Sequence, residues 1–206
     1  MQLSKGQNCA VTTDAVTVTC RWVQSPVLDA DLSALLLSGG LVRDDSDFVF
    51  YNQAVSTDGA VRHDGKRQVG MHVEDRISAD LSAIRSDVDT VAIAISLDGT
   101  HQTLAALGAI DIAVTDSAAS PIATFMIADV TSETAEVTVE LYRRGGAWKV
   151  RAVGQGYHDG LAGLAQDFGV NVDDASQPTT GVADASTFAP TRIDWSNPPV
   201  PAGYEL

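Results

Sequence analysis

The feature that most constrains this chain is a two-residue alternation that recurs in short runs. In Val16 to Val23 the side chains of Val16, Val18, Cys20 and Trp22 fall on one face, and Thr17, Thr19 and Arg21 on the other. That is the period of a half-buried strand. The same pattern returns in Val91, Ile93, Ile95 and Leu97, in Ile110, Ile112 and Val114, and in Val137, Val139 and Leu141. Gly145-Gly146 turns the last of these back into Trp148, Val150 and Ala152. Short strands separated by turn signals indicate an all-β chain, an antiparallel β-sandwich. Helix is expected in two short places. Thr103 to Leu107 ends at Gly108, and a second segment has Asp159 as N-cap, Leu161, Leu164 and Phe168 on one stripe and Gly169 at C′.

Charge is concentrated between Asp29 and Gln53. Asp29-Ala30-Asp31 runs into the apolar Leu35-Leu36-Leu37, and Asp44-Asp45-Ser46-Asp47 runs into Phe48-Val49-Phe50-Tyr51. The second run is apolar on both faces, which suggests a position between two layers. Acid beside a buried run must be paired, hydrogen-bonded or metal-bound. In an extended D-x-D both carboxylates lie on one face. Residues 52–70 read as loop, with Asp58-Gly59 and Asp64-Gly65 as turn dipeptides; Glu74-Asp75 then precedes Ile77. The acids Asp29, Asp31, Asp44, Asp45, Asp47, Asp64, Glu74 and Asp75 are an oxygen-only donor set of the kind calcium takes. The alternative for such a cluster is solvated turn aspartates.

Composition narrows the partners. The 206 residues are 45% hydrophobic with a net charge of −14. That opposes a nucleic-acid footprint or an anionic membrane surface, and favours cations. No apolar run reaches the roughly 18 residues of a membrane span, and the start lacks the pattern of a signal peptide, so a cytoplasmic protein is expected. Residues 1–170 read as one domain. Residues 171–206, rich in Pro, Ser, Thr and Asp, read as an irregular tail that packs partly on the body through Phe188, Ile193, Trp195 and Tyr204. A turn at Thr13 to Ala15 would set Cys9 opposite Cys20, as small buried thiols rather than a disulfide.

Other chemistry is poorly supported. Gly154-Gln155-Gly156-Tyr157-His158-Asp159-Gly160 copies a dinucleotide loop, but no parallel βαβ unit follows it, so it reads as a tight strand-to-helix turn. His63, His72, His101 and His158 lie in no catalytic motif and read as surface or loop residues. Arg143-Arg144 reads as a solvated hairpin end.

With these residues in hand, the chain resembles the TerD family of bacterial tellurite-resistance and chemical-stress proteins. The resemblance runs from about Leu3 to Gly169. It is carried by Leu3-x-Lys5-Gly6, Trp22, Asp29-Ala30-Asp31-Leu32-Ser33-Ala34, Asp47-Phe48-Val49-Phe50-Tyr51-Asn52, Leu141-Tyr142-Arg143 with Trp148-Lys149, and Ala152-Val153-Gly154-x-Gly156-Tyr157. It implies a β-sandwich, calcium binding in several members, no established enzymatic activity, and protein partners in a stress-response complex. Carried over to this chain, the calcium ligands are Asp29, Asp31, Asp64, Glu74 and Asp75, for at most one Ca²⁺. The chain departs from the family at residues 63–75, where Lys66 and Arg67 stand in place of acidic or neutral ligands and oppose a divalent ion by repulsion. Three functions follow: a non-enzymatic stress-response module responsive to calcium, a metal-dependent enzyme using the acidic cleft, or a metal-free interaction protein.

Overall fold

The computed structural model describes residues 1–97 and 102–170. Among them the chain forms β1 (Asn8–Val11), β2 (Ala15–Val23), β3 (Ala30–Ser38), β4 (Leu41–Val42), β5 (Phe48–Val49), β6 (Val61–Val69), β7 (His72–Asp80) and β8 (Thr90–Leu97). It continues with β9 (Ile110–Asp116), β10 (Pro121–Ile127), β11 (Ala135–Arg144), β12 (Ala147–Tyr157) and α1 (Gly160–Asp167). Short 3-10 turns cover Asp45–Asp47 and Leu104–Leu107. Among the described residues no helix is long and apolar enough to cross a membrane.

The strands make two antiparallel sheets. One runs β1-β12-β11-β8-β3-β4, with β5 also on β3, and the other runs β10-β9-β2-β7-β6. The alternating residues of β2, Val16, Val18, Cys20 and Trp22, are all buried in the core between the sheets. Leu32, Ala34 and Leu36 of β3 join them. Leu35 and Leu37 belong to a second apolar cluster with Ala92, Ala94, Val137 and Leu164. α1 therefore covers the other face of the seven-stranded sheet, which is why β3 and β8 are apolar on both faces.

That cover also accounts for the acidic run's apolar strand, and strand pairing corrects two other expectations. The strand expected over Phe48 to Tyr51 is shorter: only Phe48–Val49 is extended, and it pairs β3 alone. It does lie between two layers, with Val49 in the core between the sheets and Phe48 in the cluster beneath α1. Residues 52–70 are not all loop, because Val61–Val69 is an edge strand. After His63 every residue of β6 is polar or at least partly exposed, so no alternation betrays it, and Lys66, Arg67 and Gln68 suit an edge strand that must not recruit another chain. Cys9 and Cys20 do not face each other across a hairpin. β1 pairs β12 in one sheet and β2 pairs β7 and β9 in the other, and both thiols are free.

The helix expected after Asp159 is present, with Leu164 buried and Leu161 and Phe168 at its margin. Asp159 occupies the N-cap position without a side-chain capping bond. The glycine run is strand rather than turn, since Gly154 to Gly156 lie in β12. The tail, Asp98-Gly99 and His101 lie outside the described residues.

Candidate functional site

One edge of each sheet meets at an open seam. β3 has β8 on one side. On its other side β5 reaches only Ala34 and Leu35, and β4 only Leu37 and Ser38. The amide of Leu32 therefore has no strand beyond it. Asp75, from β7 in the opposite sheet, accepts that N–H at 2.9 Å. The same carboxylate accepts the Arg76 amide at 2.9 Å, and its two oxygens lie 2.9 and 3.1 Å from His63 Nε2. Asp75 is 0% exposed and His63 is 8% exposed. His63 is therefore not a surface histidine. It is an N–H donor, buried in β6, to a carboxylate that ties two sheets together. The Cys20 thiol lies beside them, and burial, reinforced by the Asp75 charge, raises its pKa well above the usual thiol range.

Asp64-Gly65 is not a hairpin turn; the hairpin closes at Gly70-Met71. In β6 His63 stands opposite Ile77, Gly65 opposite Arg76 and Lys66 opposite Asp75, so one residue on β6 is extra. This is a β-bulge, and Gly65 supplies its positive φ of 84°. Its consequence is parity. Residues 63 and 66 would point to opposite faces of a regular strand, yet here both stand opposite residues of one face of β7. Lys66 is thereby aimed at the start of β3, where Nζ lies 2.6 Å from Asp29 Oδ2 and 2.7 Å from Asp31 Oδ1. Desolvation pulls the Lys66 ammonium down, but its hydrogen bonds to Asp29 and Asp31, with their charge, outweigh that and hold its pKa above the ordinary lysine value.

The five acids carried over as metal ligands thus divide. Asp29 and Asp31 converge, as the D-x-D spacing predicts, and what they converge on is Lys66. Glu74 pairs with Arg67 directly across the hairpin, with Nη2 at 2.6 Å. Asp64 accepts from the Ser78 hydroxyl at 3.2 Å. Asp75 is turned into the core. Among the described residues, no three His, Cys, Asp or Glu side chains gather at spacing suited to a metal ion. The donor set does not fit calcium, which needs six to eight oxygens around one point; here an ammonium lies against the two carboxylates that do meet.

The other acidic run has a different job. Asp44 accepts the Ser46 amide at 2.9 Å and caps the 3-10 turn. Asp47, 1% exposed, is held by a guanidinium fork: Arg43 Nε and Nη2 each lie 2.6 Å from its carboxylate oxygens. Neither the Arg43–Asp47 fork nor the His63–Asp75 pair is visible in spacing alone. The one local signal was Gly65, whose place in a charged strand marks a bulge.

Comparison with known proteins agrees with the fold. The chain is 36% identical to the tellurium resistance protein TerD of Serratia marcescens over 188 residues, covering 83% of this chain and 98% of that one. It is 32% identical to general stress protein 16U of Bacillus subtilis, over 70% of this chain and 79% of that one. It is 31% identical to chemical-damaging agent resistance protein B of Clostridium acetobutylicum, over 64% of this chain and all of that one. The crystal structure of a TerD homologue from Streptomyces coelicolor A3(2) shares the fold, with a TM-score of 0.59 at 18% identity over 74% of this chain and 95% of that one. The TerD domain profile matches residues 1–168. The chain belongs to the TerD domain family.

Proposed function

We propose that this protein is a non-enzymatic chemical-stress resistance module of the TerD type, acting in the cytoplasm through protein partners, and that its acidic site works without calcium. The observation that carries the metal-free reading is the Lys66 ammonium within 2.7 Å of both Asp29 and Asp31. A lysine there supplies the positive charge that the two aspartates require, and it is tethered, so cation supply in the cell does not set its occupancy. The stress-resistance reading rests on the family and on the names of its relatives.

Calorimetric titration of calcium into the protein, with melting scans in calcium and in chelator, is expected to give no binding heat and no melting shift. A saturable heat, or a rise of several degrees in calcium, would overturn the metal-free reading. Lys66→Ala removes the tethered cation and leaves two carboxylates facing each other. This variant is expected to show a calcium-dependent rise in melting temperature that the wild type lacks, with affinity in the weak range of sites with few charged ligands. The resistance role is tested separately, by growth of a strain lacking the protein under tellurite or another damaging chemical agent. Wild-type protein and the Asp29→Asn/Asp31→Asn double variant are both expected to restore growth. Restoration by neither would remove the stress reading.

A further inference from the structure

Far from the Lys66 pair along the chain, a cavity of about 370 Å³ opens between the N-terminal segment, the end of β10, the start of β11 and the end of β12. Leu3, Phe125 and Ile127 give it apolar walls, and all three are nearly fully buried. The N-terminal segment is fixed there by bonds to both neighbours, Leu3 N–H to the Thr124 carbonyl at 2.7 Å and Gly6 N–H to the Ala152 carbonyl at 2.8 Å.

Glu136 lines this cavity and is 4% exposed. Its carboxyl accepts no hydrogen bond from any described residue, which is an expensive position for a carboxylate. The nearby charges are already engaged or repulsive. Lys5 donates its ammonium to the Gly154 carbonyl, and Glu133 accepts the Thr131 and Ser132 amides at 2.7 and 2.9 Å. Gly156 is required for this packing, because a Cβ there would overlap the Glu133 side chain. Asp129 stands at the same cavity. With Glu133, Glu136 and Asp129 against Lys5 alone, the field in the cavity is negative, and anions are repelled.

We infer that this cavity is a binding site for a small organic ammonium, a primary amine on a short apolar body, with Glu136 as its counter-ion. The pairing follows from the chemistry on both sides. A primary ammonium brings three N–H donors and a positive charge to a buried acceptor to which no described residue donates, and its alkyl part fills walls that water satisfies poorly. The volume lies at the lower end of the range for small-molecule sites. A metal ion suits it less, since a single unengaged carboxylate and apolar walls do not make a coordination shell. Burial pushes the Glu136 carboxyl up to about 7, against the pull of Lys5 and helped by Glu133. Binding of a cation draws the carboxyl back to its charged form, so affinity rises with pH through that midpoint. The titratable groups facing Glu136 are Lys5, Glu133, Asp129 and the Cys20 thiol.

The test uses n-butylammonium as probe on the full chain at about pH 8, one unit above the Glu136 midpoint, by calorimetry and two-dimensional NMR. Saturable binding is expected, with the largest shifts at Leu3, Phe125 and Ile127, and with 1-butanol and butyrate giving none. Glu136→Gln is expected to weaken the amine by roughly tenfold or more. In the wild type the association constant is expected to fall towards tenfold per unit below about pH 7; this readout stands even if the variant fails to fold. No saturable binding, equal binding of butanol, or binding indifferent both to Glu136→Gln and to pH would overturn the proposal.

Discussion

Asp75→Ala is expected to lower the unfolding free energy by about 3–5 kcal/mol, the scale for removing one partner of a buried charged network. The carboxylate is fully buried and serves three donors at once: the Leu32 amide, the Arg76 amide and the His63 ring. Alanine leaves the first and last of these unpaired at the seam, each at a cost of about 1–3 kcal/mol. Asp75→Asn retains an oxygen for one donor but presents an NH₂ to another, and should fall between alanine and wild type. The pair His63→Leu and Asp75→Leu, taken singly and together, separates the two contributions. The double variant should cost less than the sum, because each single change leaves a buried polar orphan. Urea unfolding with a constant m value is the measurement. A loss below about 1 kcal/mol for Asp75→Ala would mean that the seam is held by apolar contact alone.

Arg43→Met is expected to cost about 3–5 kcal/mol, because it strands the Asp47 carboxylate in a site that water does not reach. Arg43→Lys should recover little of this. A lysine offers a point charge where Asp47 is gripped by two parallel N–H bonds of 2.6 Å. Arg43 also reaches Asp87, at 2.9 and 3.0 Å, but that carboxylate is largely exposed. Asp87→Ala should therefore change stability little. The contrast between the two aspartates, on one arginine, isolates burial as the deciding variable. Thermal and denaturant melts of the three variants check it, and equal losses for Arg43→Met and Asp87→Ala would contradict the assignment.

Several parts of this picture were legible in the residues. Wherever one face of a strand meets the core and the other meets solvent, side-chain period reports burial directly. Val16 to Trp22, Val91 to Leu97 and the hairpin at Gly145-Gly146 could be placed for that reason. The convergence of Asp29 and Asp31 followed from the same period. Side-chain period is silent on pairing and on edges. Phe48 and Val49 read as lying between two layers, and they do, but apolar faces say nothing of strand length or pairing, and the strand is two residues long against β3 alone. β6 read as loop because an edge strand with charged residues along it has no apolar rhythm to detect.

At the acidic site the division is sharper. The sequence by itself determined the fold class, the D-x-D pair and the two adjacent cations Lys66 and Arg67. Those are properties of composition and local spacing. Only the tertiary structure decided what the cations do. The bulge at Asp64-Gly65 reverses the parity of β6, so Lys66 shares a face with His63 and meets Asp29 and Asp31 across the seam instead of pointing away from them. Asp75 likewise could be read as a ligand until the fold turned it inward, to the free amide of Leu32. A single residue of register moves a side chain to the other face of a sheet, and register is fixed by pairing between strands rather than by the strand alone.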